Sequence, residues 1–243
     1  MKIDYEKCTG CETCQPYCTV GAISTIDRQG DTVSEIDQDE CVECGICLRS
    51  EICPAEAIYM PELSWPRSIR ELFSNPVVRH PSTGTPGRGT SEMKTNDVTG
   101  RFRRGEAGVS LEMGRPGIGT KLRDVQTVSM ALGKLGIEFE PENPVAALMA
   151  DRETGKIKEE VLNEKVLSAI IECKVNIDRL REILDTIKAL SHKVDTVFSL
   201  DLISRVNPDG SIPTIAIAKE AGFTPRPNTK TNLGLGRPLK MEE

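Results

Sequence analysis

The chain has 243 residues, of which 38% are apolar and 4% aromatic, a composition too lean for one large core and better suited to two small cores joined by extended segments. Its longest apolar run, Val145 to Ala150, falls far short of the ~20 residues that span a bilayer, so no membrane span is expected. The net charge of −6 is uneven: residues 1–60 carry 4 basic and 12 acidic side chains, and so acidic a segment makes nucleic acid a poor partner.

No apolar stretch precedes the first cysteines, so no secretory leader is expected and the chain reads as cytoplasmic. Eight of its nine cysteines lie between residues 8 and 53. Cys8, Cys11, Cys14 and Cys18 are spaced C-x2-C-x2-C-x3-C. Cys41, Cys44, Cys47 and Cys53 are spaced C-x2-C-x2-C-x5-C and are followed by Pro54. Disulfides suit a cytosolic chain poorly. Zinc sites take two cysteines close together and two far away. Here each run offers three thiols at successive short steps and then a fourth, which suits the corners of a [4Fe–4S] cube. No C-x3-C-x2-C run is present, which argues against radical S-adenosylmethionine chemistry.

These two runs resemble those of the bacterial-type dicluster ferredoxins, over about residues 1–60. The resemblance implies two [4Fe–4S] clusters, one held by Cys8, Cys11, Cys14 and Cys53, the other by Cys41, Cys44, Cys47 and Cys18. It also implies single-electron transfer at low potential. Two departures from the family pattern stand out: Thr19 follows Cys18 where proline is usual, and five residues in place of three precede Cys53. Both alter the backbone beside a thiolate and should make the two potentials unequal. An internal repeat runs through the segment. Ile3-Asp4 before the first run recurs as Ile36-Asp37 before the second, and Gly21-Ala22-Ile23 recurs as Glu56-Ala57-Ile58. Each half reads as short strand, cysteine loop, short helix, short strand.

Residues 61–106 read as an extended arm with one short helix near Arg67–Phe73, because Pro and Gly recur without either apolar period. The basic charge of this region suits an acidic surface, that of another protein or of the chain's own first segment. Trp65 and His80 in the arm read as packing and loop residues.

Residues 107–206 read as a β-α-β-β-α-β sandwich. Val109, Leu111 and Met113 alternate as in a strand. Leu122, Val125, Val128, Leu132 and Leu135 follow helical spacing up to Gly136. A short strand at Ile137–Glu140 precedes a polar insertion at 141–160. A third strand covers 166–175 and a second helix Ile177–Leu190. A last strand runs from Phe198 to Val206. Cys173 falls on the inward face and reads as a core residue. The stretch RPGIGTKLRDVQTVSMALGKLGIEFE resembles the start of an ACT-type domain, which implies small-ligand or subunit binding at the Gly114–Gly119 turn. Backbone N–H groups at such a turn can also face an anion, but Gly119-Thr120-Lys121 is not the Gly-Lys-Ser/Thr of a phosphate loop. His192 suits a helix C-terminus. Residues 207–243 read as an extended tail, whose Asn232–Arg237 stretch is glycine-rich without a dinucleotide fingerprint.

The fold class expected is therefore α+β: a dicluster ferredoxin fold, an arm, a βαββαβ sandwich and a tail. The expected function is a non-catalytic, ferredoxin-type electron-transfer subunit of an oxidoreductase complex in anaerobic metabolism. Its partners would be a redox protein or the other subunits, and the C-terminal unit is a candidate for self-association. Two alternatives are a redox- or metabolite-responsive regulator and an accessory protein that delivers electrons to activate a metalloenzyme.

Overall fold

The computed structural model describes residues 1–87 and 101–225. Parts of the arm and tail, including Asn232–Arg237, lie outside them. Apolar residues gather in two separate clusters, one in the cysteine-bearing segment and a larger one in the C-terminal half.

The N-terminal unit is built from four strands and little else. Strand β1 (Lys2–Ile3) pairs with β4 (Ile58–Tyr59), so the first and last elements close on each other. Strands β2 (Ile23–Arg28) and β3 (Asp31–Ile36) form a tight antiparallel hairpin between the two cysteine runs. A 3-10 turn at Gln15–Tyr17 follows the first run's third cysteine, and helix α1 (Ile46–Arg49) encloses the second run's third cysteine. The core here is small: Ile3, Ala22, Ile23, Ile36, Ala57 and Ile58 are buried together with cysteines of both runs. So few aliphatic side chains leave much of the unit's cohesion to whatever fills the space between the thiols.

The C-terminal unit is organised around a four-stranded antiparallel sheet. Its strands are β5 (Glu106–Met113), β7 (Glu138–Phe139), β11 (Ala169–Asn176) and β12 (Phe198–Ser204), laid side by side in the order β12-β5-β11-β7. Strands β5 and β11 are central and paired over eight positions, from Ala169 opposite Met113 to Asn176 opposite Glu106. Helix α3 (Leu122–Gly133) follows β5 and helix α5 (Leu180–Leu190) follows β11. Their apolar stripes carry Leu122, Val125, Leu132, Leu180, Ile183 and Leu184, all fully buried. Each such side chain contributes about 1.5–3 kcal/mol on leaving water.

The structure revises the sequence reading at three places. Residues 141–160 are not a polar insertion. Asn143 accepts bonds from the Val145 and Ala146 N–H groups and so caps helix α4 (Pro144–Leu148). Strands β8 (Met149–Asp151) and β9 (Lys156–Ile157) then form a hairpin, and Val145, Leu148, Ile157 and Val161 join the main core. Charged residues at the hairpin tip and on either side of the hairpin separate the apolar positions of this segment in the sequence. The third strand is interrupted: Lys165–Val166 (β10) pairs with Thr120–Lys121 (β6), and the main sheet resumes only at Ala169. The early tail carries helix α6 (Pro213–Glu220), which packs on α5 and β12. Among the described residues no helix is long and apolar enough to cross a membrane.

Residues 61–87 contain helix α2 (Ser68–Ser74), one residue displaced from the expected span. Its Ile69 and Phe73 are buried in the C-terminal core, and His80 lies edge-on to Phe73 at 5.3 Å. Burial holds the His80 pKa below the usual imidazole value. Trp65 is about half exposed and lines neither cysteine cavity.

One packing detail yields a direct test. Gly133 ends α3 where the β8–β9 hairpin crosses it, and a Cβ there would stand 2.4 Å from the Thr154 carbonyl oxygen. Alanine in a helix normally stabilises by ~1 kcal/mol over glycine. Gly133→Ala should instead lose roughly 1–3 kcal/mol, read as a lowered midpoint in denaturant unfolding.

Candidate metal centres

The eight N-terminal cysteines line two neighbouring cavities. Cys8, Cys11, Cys14 and Cys53 line the first; Cys18, Cys41, Cys44 and Cys47 line the second. The last cysteine of each run thus faces the other run's cavity. The β1–β4 pairing makes this exchange geometrically natural, since it brings the segment after Cys53 back beside the residues before Cys8. Among the described residues no three Cys, His, Asp or Glu donors are close enough to share one metal ion. A four-iron cube puts each thiolate on a different iron, so four sulfurs spread around one space are the donor set it requires. The thiols present fit such a group in number, type and arrangement.

The internal repeat is written into the backbone as well. Gly10 and Glu12 hold left-handed φ values of 65° and 60°; the equivalent positions of the second run, Glu43 and Gly45, hold 56° and 69°. Gly21 and Glu56 form a third matched pair at 69° and 48°. Left-handed turns of this kind gather N–H groups on one side, a geometry that favours anionic sulfur. Glycine takes one position in each run: at Gly10 the backbone leaves no space for a side chain, and at Gly45 the left-handed φ favours glycine while a side chain would have to displace the end of Arg49. A Cβ on Gly10 would lie 2.3 Å from the Thr32 carbonyl oxygen, and one on Gly45 would lie 2.6 Å from Arg49 Nη1.

Donors to sulfur follow the same plan. The Ser34 N–H donates to Cys8 Sγ at 3.3 Å, Ala57 N–H to Cys53 Sγ at 3.3 Å and Ala22 N–H to Cys18 Sγ at 3.1 Å. Thr13 Oγ1 lies 3.4 Å from Cys11 Sγ, and Thr19 Oγ1 lies 3.3 Å from Cys44 Sγ.

The two cavities differ in their electrostatics. In the first cavity burial pushes the Cys14 thiol up, but Cys11 is exposed, and the Thr13 hydroxyl holds its thiol pKa below the ordinary value. In the second cavity burial pushes the Cys41 thiol up and the Cys47 thiol up to about 12. Thiolates there are disfavoured unless positive charge compensates them, as bound iron would. Arginines also surround this side. Arg49 Nη1 donates to the Cys44 carbonyl and to Asn75 Oδ1, each at 2.8 Å. Arg67 donates to the Gln38 carbonyl at 2.8 Å and pairs with the fully buried Glu43, which the Met1 ammonium group also contacts. Arg70 Nη1 reaches three carbonyls of the second loop, those of Gln38 (2.9 Å), Asp39 (3.1 Å) and Cys41 (2.8 Å), while its Nε pairs with Glu164 of the C-terminal unit. The basic middle region thus meets the chain's own acidic first segment. None of these arginine contacts was legible in the cysteine spacing.

The Gly114–Gly119 turn is already occupied by protein. The Gly114 N–H donates to the Val197 carbonyl and Gly117 N–H to the Thr19 carbonyl, at 2.8 and 2.6 Å. The Ile118 and Gly119 N–H groups both return to the Arg115 carbonyl. These donors, which could have faced an anion, are spent on docking and on closing the turn. His192 lies just beyond the end of α5, as its position in the sequence suggested. Cys173 is buried on β11, opposite Val109 and Phe139, and lines neither cysteine cavity.

Comparison with known proteins finds an iron–sulfur domain in the same segment. The family model for the 4Fe-4S binding domain matches residues 1–24. Ferredoxin-3 of Chlorobaculum tepidum is 40% identical over 57 residues, which are 22% of this chain and 86% of that protein. The chain belongs to the dicluster ferredoxin family. Pyruvate synthase subunit PorD of Methanothermobacter marburgensis is 41% identical over 58 residues, 24% of this chain and 60% of PorD. A subunit of the ion-translocating oxidoreductase complex of Methanosarcina acetivorans is 43% identical over 51 residues, 21% of this chain and 17% of that protein. The chain therefore covers less than two thirds of either of these two relatives. No solved structure matches it.

Two outcomes follow for this ferredoxin. Arg70→Lys cannot reproduce a planar fork shared among three carbonyls and a carboxylate, so it should lose roughly 2–4 kcal/mol of stability in denaturant unfolding. Cys173→Ala should leave the iron content of anaerobically prepared protein unchanged; loss of about four irons from that variant would make Cys173 a ligand after all.

Proposed function

We propose that the chain is a ferredoxin-type electron-transfer subunit of a larger oxidoreductase complex, carrying two low-potential [4Fe–4S] clusters. Cys8, Cys11, Cys14 and Cys53 would hold one; Cys41, Cys44, Cys47 and Cys18 would hold the other. The observation that carries this reading is the sorting of eight thiols, four and four, into two adjacent cavities by exchange of the last cysteine of each run. Each cluster, when bound, takes up and releases one electron at a time.

The chain's own residues supply the rest. The Ser34, Ala57 and Ala22 N–H groups offset negative charge on the sulfurs. The exposed Cys11 edge is the side at which a redox partner can approach closely. The net −8 of residues 1–60 opposes the addition of electrons and holds the potentials low. We read residues 1–60 as the redox unit, 61–106 as a strap, 107–206 as a split βαβ sandwich of ACT-like type and 207–243 as a tail. The strand order β12-β5-β11-β7, with one helix after each central strand, supports the sandwich. The relatives named as subunits of oxidoreductases support membership of a complex, in which the sandwich would meet other subunits.

Anaerobically prepared protein should contain about eight irons per chain, as two cubes require. Partial reduction should give the spin signal of one cluster, and full reduction a broadened signal from two coupled ones. Cys18→Ala should damage the cluster of Cys41, Cys44 and Cys47, leaving the sequence-adjacent one intact. Stoichiometric zinc without iron would overturn the proposal.

A further inference from the structure

The departure at residue 19 has a structural counterpart. The repeat places Pro54 after Cys53 and Thr19 after Cys18, so only the second cavity has a hydroxyl at this position. Thr19 Oγ1 lies 3.3 Å from Cys44 Sγ, a sulfur from the opposite run. In a free thiol either atom could donate. A cysteine bound to iron is a thiolate without a proton, so in the loaded protein the hydroxyl is the donor. The bond adds positive potential at that sulfur, favours the more negative reduced state and so raises the reduction potential.

The donor's position is set from the C-terminal unit. The Thr19 carbonyl accepts the Gly117 N–H at 2.6 Å, and the Gly119 backbone lies close enough to Val20 that a Cβ there would stand 3.7 Å from the Val20 side chain. The ion pairs Lys165–Glu40 and Arg70–Glu164 hold the same seam together. Thr13, beside Cys11, is a different case. It is exposed, its hydroxyl also lies 3.5 Å from the Cys11 carbonyl, and water competes for the same sulfur.

We propose that Thr19 is a positioning residue that raises the potential of the cluster held by Cys18, Cys41, Cys44 and Cys47 relative to its neighbour, and that the Gly114–Gly119 turn of the C-terminal unit holds it in place. This rests on the two-cluster reading above. The two halves of the repeat, alike in ligands, thereby differ in one hydroxyl donor to sulfur, on the side covered by the C-terminal unit.

The test compares wild type, Thr19→Val and Thr19→Ser, full-length and anaerobic, by iron analysis and by redox titration followed by electron spin resonance. The second cluster is identified as the one disturbed in Cys18→Ala. Thr19→Val keeps the shape and removes the donor. It should retain about eight irons and shift the second cluster alone to a more negative midpoint. The size expected is roughly a threefold to tenfold change in its reduction equilibrium, the worth of one hydrogen bond, tenfold being about 59 mV for one electron. Thr19→Ser should restore the wild-type midpoint. Eight irons with unchanged midpoints in Thr19→Val, or a shift at the other cluster, would overturn the role of Thr19 and leave the two-cluster reading standing. Loss of about four irons from Thr19→Val would overturn it too, by making the residue necessary for retention. Wild-type protein without iron would defeat the two-cluster reading and this inference together.

Discussion

Each cysteine run turns its last thiol toward the other run's cavity, and the architecture of the first 60 residues depends on that exchange. Strands β1 and β4 are only two residues long, and the aliphatic core they close on is small. Such short strands are marginal by themselves. With the exchange in place, residues on either side of the hairpin become mutually dependent, because each cavity takes three thiols from one half and one from the other. Bound iron would add cross-links through the centre of the unit, where apolar area is scarce.

The second dependence is electrostatic. The first segment is strongly acidic, and its second loop buries carbonyl groups and a fully enclosed carboxylate at Glu43. Buried groups of this kind are stable only when partnered. Arg49 and the Met1 ammonium group supply partners from within the unit; Arg67 and Arg70 supply others from the start of helix α2, outside the ferredoxin segment. The arm is thus more than a spacer: one face of α2 satisfies the cysteine loop, while Ile69 and Phe73 enter the other core.

What was legible in the sequence followed from local spacing. The C-x2-C-x2-C steps announced the thiol sets, and the offset between the two runs announced the repeat; the matched left-handed positions Gly10 and Glu43 are a property of the folded backbone. Strand alternation at Val109–Met113 and the helical stripe from Leu180 to Leu190 were equally local signals. The contacts that join the units were not legible. Arg70 meets Gln38, Cys41 and Glu164 across large sequence separations, and no periodicity encodes such a meeting. The apolar residues of 141–160 escaped notice for a different reason. They are divided between a capped helical turn and a hairpin, each too short to display a period. Thr19 was visible only as a missing proline; the sulfur it faces and the glycine that holds it come from elsewhere in the chain.

Helix α2 is packed in the C-terminal core and hydrogen-bonded to the cysteine loop, and this bears on how the molecule comes apart. Two hydrophobic clusters would ordinarily melt as two events, the weaker first. Here, opening the C-terminal cluster releases Ile69 and Phe73, and with them the helix whose Arg70 holds the Cys41 loop. Opening the cysteine unit exposes the other side of the same helix. A helix of seven residues therefore couples two structural units into one cooperative transition, and damage to either is felt in the other.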